Sequence, residues 1–191
     1  MHNFTRGCGV YYYVNDVEAQ FKRTEADELT YPLHIMVRYE LEKELISGTL
    51  EVKDLEKVWN NKIKEYFGLE VPCSAMGVLQ DSHWAGGSIG YFPTYALGSA
   101  ISAQLYYKMQ EEFDVIQSLK EGNTKDINNW LKEKIHKFGS SKYPKEILEK
   151  ALNGKFDAKY YIQYLKEKYM NQNIYIQILL ILLITMLILS F

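Results

Sequence analysis

Leu55, Val58, Trp59, Ile63 and Phe67 recur at helical spacing and stop at Gly68, and no stretch of convincing length alternates apolar with polar residues. Strict alternation marks a half-buried strand, whereas apolar residues three and four apart mark one face of a helix. A helix is therefore expected over Val52 to Phe67. A longer pattern runs from about Val14 to Ser47 and is stopped by Gly48. Pro93 opens a run to about Phe113. Lys125 to Phe138, Pro144 to Asn153 and Ala158 to Tyr169 read as shorter helices with Gly or Asn at their ends. Leu69 to Gly90 carries Pro72, Cys73 and four glycines, which is loop chemistry. The expected fold class is all-α.

Lys and Arg total 22 and Asp and Glu total 24, for a net charge of -2. That balance lacks the basic footprint of a nucleic-acid binder. Cys8 and Cys73 are too few for a disulfide scaffold and lack metal-ligand spacing, which suits a reducing, cytoplasmic setting. Met1 to Gly9 has no apolar core of the kind a signal peptide needs. The other end differs. Ile174 to Phe191 contains no charge, and its 18 residues would span ~27 Å as a helix, close to a ~30 Å hydrocarbon core. With Lys159, Lys166 and Lys168 on its N-terminal side it reads as a hydrophobic C-terminal helix able to anchor the chain to a membrane. The ordinary alternative is a buried helix. Residues 1–10 are then a leader, 11–169 the folded domain and 170–191 the hydrophobic tail.

Two segments break the usual division of core and surface. In TEADELTYPLHIMVRYELE, Thr24 and Asp27 have the spacing of a capping pair. Leu29, Leu33 and Met36 share one side of a helical wheel. Asp27, Tyr31, His34 and Arg38 fall within ~60° of one another on another side. A carboxylate, a phenol, an imidazole and a guanidinium suit directional hydrogen bonding, in a site or in a structural ladder. Pro32 within this stripe should kink the helix.

The second segment is GVLQDSHWAGGSIGYFPTYALGS. Asp81 and His83 share a side in extended chain, so the carboxylate could fix the imidazole tautomer. Trp84 would wall off solvent, and Gly86, Gly87 and Gly90 would let backbone approach a ligand. Tyr91 and Tyr95, four apart at a helix start, can project both hydroxyls from one face. A histidine with paired tyrosines suits stabilisation of an oxyanion and grip on a peptide.

RTEADELTYPLHIMVRYELE, GVLQDSHW and GYFPTYALG, in this order, resemble consecutive blocks of the thermostable metallocarboxypeptidase family, the carboxypeptidase Taq type with an HEXXH zinc site. The resemblance runs from about Tyr11 to Tyr169 and corresponds to the C-terminal portion of such an enzyme. Ser99 and Lys22 depart mildly from the pattern. The resemblance implies an all-helical fold with a deep groove. It also implies hydrolytic release of C-terminal amino acids from peptides, broad in specificity, using a divalent metal, zinc or cobalt. By the same resemblance His83 would hold the substrate backbone or the forming oxyanion, and Tyr95 and Tyr91 would be donors. Asp81 would orient His83, and Gln80 would line the pocket. Tyr31, His34 and Arg38, with Asp27, would line the groove from the other side. Arg38 would be either an ion-pair partner or a carboxylate contact.

HEXXH itself is absent. The four histidines are His2, His34, His83 and His136, none four residues from another. No residue of this chain is assigned as a metal ligand, and none is expected to bind metal without a further portion. Glu133 and His136 read as a solvated helix face. The expected partners are a peptide substrate, an N-terminal catalytic portion or another chain supplying it, a second copy in a homodimer, and a membrane through 174–191. The competing reading is an inactive remnant that binds peptides or serves as a tail-anchored interaction protein.

Overall fold

The computed structural model describes residues 13–170, so the leader and the hydrophobic tail lie outside the described residues. Every regular element among the described residues is helical. They form two compact units, 13–96 with 168–170, and Leu97–Glu167. Among them no helix is long and apolar enough to cross a membrane.

In the first unit a 3-10 turn, Arg23–Glu25, precedes helix α1, Tyr31–Ser47. The continuous helix expected from Val14 does not form. Asp27 ends the preceding loop instead: its carboxylate accepts from Leu29 N and Thr30 N, both at 2.9 Å, and from Thr30 Oγ1 at 2.7 Å. These bonds satisfy donors that a helix start leaves open. Thr24 caps nothing, and Asp27 belongs to the turn before α1 rather than to a helical stripe. Pro32 sits in the first turn, where no intrahelical donor is required, so the expected kink has no cause. Gly48 closes α1 with φ 75°, its N–H donating to the Glu44 and Leu45 carbonyls.

Seven consecutive residues, Pro32 to Arg38, are buried, together with Leu41 and Glu42. Over the stretch from Pro32 to Arg38 the helix is enclosed on all sides and has no solvated stripe. Helix α2, Leu55–Phe67, follows a 3-10 turn, Val52–Asp54, and ends at Gly68, as its spacing predicts. It packs on α1 where Phe67 stacks on His34 at 4.4 Å, Trp59 faces the Arg38 guanidinium at 4.7 Å, and Glu40 accepts from Lys62 Nζ and Tyr66 Oη. The Gly-rich stretch after α2 contains two 3-10 turns, Ser74–Met76 and Val78–Gln80.

Helix α3, Pro93–Gln110, begins at the expected proline, and the border between the units falls between its residues 96 and 97. The second unit adds α4, Val115–Lys120, which the sequence reading missed because six residues carry too little periodicity. It continues with α5, Lys125–Lys134, α6, Pro144–Leu152, and all but the last two residues of α7, Lys159–Tyr169. Met109, Val115 and Trp130 form a core cluster there. Buried Gln104 ties the chain before α7, donating to the Lys155 carbonyl and accepting from Asp157 N. Glu133 pairs with Lys137 on an exposed face.

Candidate active site

Asp81 closes an electrostatic knot in the first unit. Its Oδ1 accepts from Arg23 Nη2 at 2.9 Å, and its Oδ2 accepts from Arg38 Nε at 2.6 Å. Burial alone would raise the Asp81 pKa, but the two guanidinium groups hold it below the ordinary carboxylate value. Burial works against the Arg38 charge and brings its pKa down to about 10 despite Asp81. Arg38 therefore stays cationic near neutrality. Gln80 is consumed by the same knot. Its Oε1 accepts from Arg38 Nη2 and Arg23 N, while its Nε2 donates to the Phe21 and Met76 carbonyls.

Three expected groove residues thus have other tasks in these contacts. Arg38 is wholly buried as an ion-pair partner, Gln80 has both ends of its amide engaged, and His34 is 0% exposed. Burial, reinforced by Arg38 and Arg23, lowers the His34 pKa to about 3, so the ring is neutral. The deep groove finds no support among the described residues.

His83 and Tyr95 do meet. His83 Nε2 and Tyr95 Oη lie 3.2 Å apart, with the rings edge to face at 5.9 Å. Buried Phe92 lies 4.5 Å from the imidazole, and half-exposed Tyr91 stacks on the imidazole with ring centres 5.9 Å apart. Asp81 does not fix the imidazole as expected. Its Oδ1 is 3.6 Å from Nδ1, beyond hydrogen-bond length, because both arginines draw the carboxylate to themselves. Tyr31 stands edge-on to Tyr95 at 6.4 Å, and its hydroxyl accepts from Arg23 Nη1 at 3.1 Å. The Arg23 guanidinium also lies 4.9 Å from the Tyr95 ring, a cation–π distance.

Two residues of this assembly went unassigned in the sequence reading. Arg23 stands inside the quoted RTEADE block, yet its partners are 8 and 58 positions away. Glu42 follows Arg38 by one helical turn, which extends the polar stripe. Its carboxylate accepts from Trp84 Nε1 at 2.7 Å and from Gly90 N. That spacing was the available signal; the burial that makes it matter was not visible.

Gly90 has φ 75° and Gly87 φ 77°, so these positions require glycine for the turn itself. Among the described residues no three His, Cys, Asp or Glu side chains stand where they could hold a metal ion. Asp81, the carboxylate nearest His83, is already paired with two arginines. The described residues therefore do not fit a metal ion. The arrangement offers a phenol and an imidazole that can donate to one carbonyl oxygen, on a scaffold of buried ion pairs.

Among the described residues the scaffold is helical throughout, and comparison with known proteins gives the class to which the chain belongs. It belongs to the carboxypeptidase Taq (M32) metallopeptidase family, whose model matches residues 8–169. It is 43% identical over 171 residues to thermostable carboxypeptidase 1 of Pyrococcus furiosus, covering 89% of this chain and 34% of that protein. It is 47% identical over 161 residues to carboxypeptidase 1 of Bacillus subtilis, covering 83% of this chain and 32% of that one. The solved structure of Trypanosoma cruzi metallocarboxypeptidase 1 superposes with a TM-score of 0.84 at 36% identity, over 89% of this chain and 36% of that chain. This chain therefore spans about a third of the length of the relatives it matches.

Proposed function

We propose that this chain forms the substrate-holding side of a metallocarboxypeptidase site that releases C-terminal amino acids from peptides. His83 and Tyr95 donate to the carbonyl of the scissile bond and to the oxyanion that develops there, and Tyr91 is a further donor at the rim. The divalent metal and the HEXXH ligands that the family resemblance implies come from sequence other than 1–191. The observation that carries this reading is the 3.2 Å approach of His83 Nε2 to Tyr95 Oη on a braced, partly accessible face. Two such donors are worth most when charge develops on the oxygen, so they act mainly on turnover.

The test joins residues 11–169 to the HEXXH portion of the Bacillus subtilis relative and assays a blocked dipeptide. Tyr95→Phe and His83→Ala should each lower turnover by ~10²–10³ while changing the Michaelis constant much less. Near-full turnover in both variants of an active chimera would overturn the assignment. The chain by itself should show no chelator-sensitive release of C-terminal residues, because it lacks the groups that would activate water.

A further inference from the structure

Glu42 is a carboxylate with 5% exposure, and a charge withdrawn from water persists only where donors replace the lost hydration. Its two donors here come from opposite ends of one loop. Trp84 Nε1 reaches Oε1 at 2.7 Å, and Gly90 N reaches both carboxylate oxygens at 3.2 Å. Trp84 directly follows His83, and Gly90 directly precedes Tyr91. Within the loop Gly86 N donates to the Ser82 carbonyl at 2.8 Å and Ser88 N to the His83 carbonyl at 2.8 Å. The Trp84 ring is wedged edge-on between Trp59 at 6.1 Å and Phe92 at 5.9 Å. Glu42 therefore spans the mouth of a self-bonded loop and ties both ends to the buried helix α1.

We infer that Glu42 is a positioning residue: by clamping Trp84 and Gly90 it sets the spacing of His83 from Tyr91 and Tyr95. Its hydrogen bonds go to Trp84 and Gly90 rather than to these three side chains, so it acts through the loop. Arg38, one turn earlier on α1, holds Asp81 on the other side of His83. Helix α1 thereby grips the histidine-bearing segment from both flanks. The catalytic meaning of this clamp rests on the function proposed above, but the clamp itself is testable without any reaction.

The experiment uses the full chain with Glu42→Gln and Trp84→Phe, each checked for native circular dichroism, and follows amide exchange and the His83 ring resonances by NMR at one pH. Glu42→Gln keeps the shape but replaces one acceptor oxygen with a donor that opposes Gly90 N–H. The Gly90 amide should exchange about tenfold faster or more, since a charge-assisted bond is lost. The His83 ring protons should shift as the Tyr91 and Tyr95 rings beside them move. Trp84→Phe keeps an aromatic ring and loses one bond, so it should move both readouts in the same direction by less. If Glu42→Gln does not fold, Trp84→Phe decides alone. Unchanged exchange at Gly90, or unmoved His83 ring resonances, in a folded variant would overturn the proposal. The blocked-dipeptide assay of the chimera separates the two claims. If His83→Ala and Tyr95→Phe both keep near-full turnover there, the proposed function falls, while altered exchange and shifted His83 ring resonances in Glu42→Gln still support the clamp.

Discussion

Arg38 Nε and Asp81 Oδ2 are 2.6 Å apart although 43 residues separate them in the chain. The arginine side chain has no exposure and the carboxylate 14%. A pair this sheltered depends on both members, because removing one strands the other in a poor solvent for charge.

Arg38→Ala should therefore destabilise the fold by about 3–5 kcal/mol. Arg38→Lys should recover only part of this, since an ammonium cannot reproduce the bonds to Asp81, Gln80 and the His34 carbonyl together. Urea denaturation measures both. A loss below about 1 kcal/mol in Arg38→Ala would contradict the structural role.

Stability should fall with acid well above the carboxylate range. His34 titrates at about 3 in the folded chain against 6.5 ordinarily. The unfolded chain thus binds a proton below pH 6.5 that the folded chain refuses, and stability drops as pH falls from 6.5 toward 3, by up to about 1.4 kcal/mol per unit. Asp81 acts in the same direction lower down: its folded pKa lies below 3.8, so its contribution is present above 3.8 and is lost as pH falls through the folded value. Denaturation midpoints between pH 7 and pH 4 should show a shallower slope in His34→Leu than in the wild type. Parallel slopes would contradict the buried neutral imidazole.

Trp59 is 1% exposed on α2, facing Arg38 and Trp84. Trp59→Ala should cost about 3–5 kcal/mol through the cavity it opens. Trp59→Phe should cost markedly less, and equal losses in denaturation would argue against a packing origin.

Asn153 ends α6 in the left-handed region, at φ 49°. Asn153→Gly should be neutral or slightly stabilising, whereas Asn153→Ala should lose about 1 kcal/mol. Thermal unfolding of the two variants gives the order, and a more stable Ala variant would refute the strain argument.

Helix stops at Gly48 and Gly68 and starts at Pro93 and Pro144 were legible in the sequence because they are local: a left-handed glycine or a first-turn proline acts on its own backbone. The pairing of His83 with Tyr95 was half legible, since the two stand on one short block of loop and helix start around Tyr91, and family resemblance pointed to both. What the polar stripe meant was not legible. Tyr31, His34 and Arg38 keep their helical spacing, but the wheel cannot tell a solvated face from one enclosed by α2 and the loop after it. Enclosure turned Arg38 into a buried ion-pair partner, His34 into a neutral ring on Phe67, and Asp27 into a turn cap. Arg23 and Glu42 acquired their importance only when segments 42 to 58 residues away arrived beside them. Periodicity and capping follow from the chain's own covalent geometry, so sequence alone determined the helices. The charge state and bonding of each polar group depend on which distant groups displace its water, and that only the tertiary structure decided.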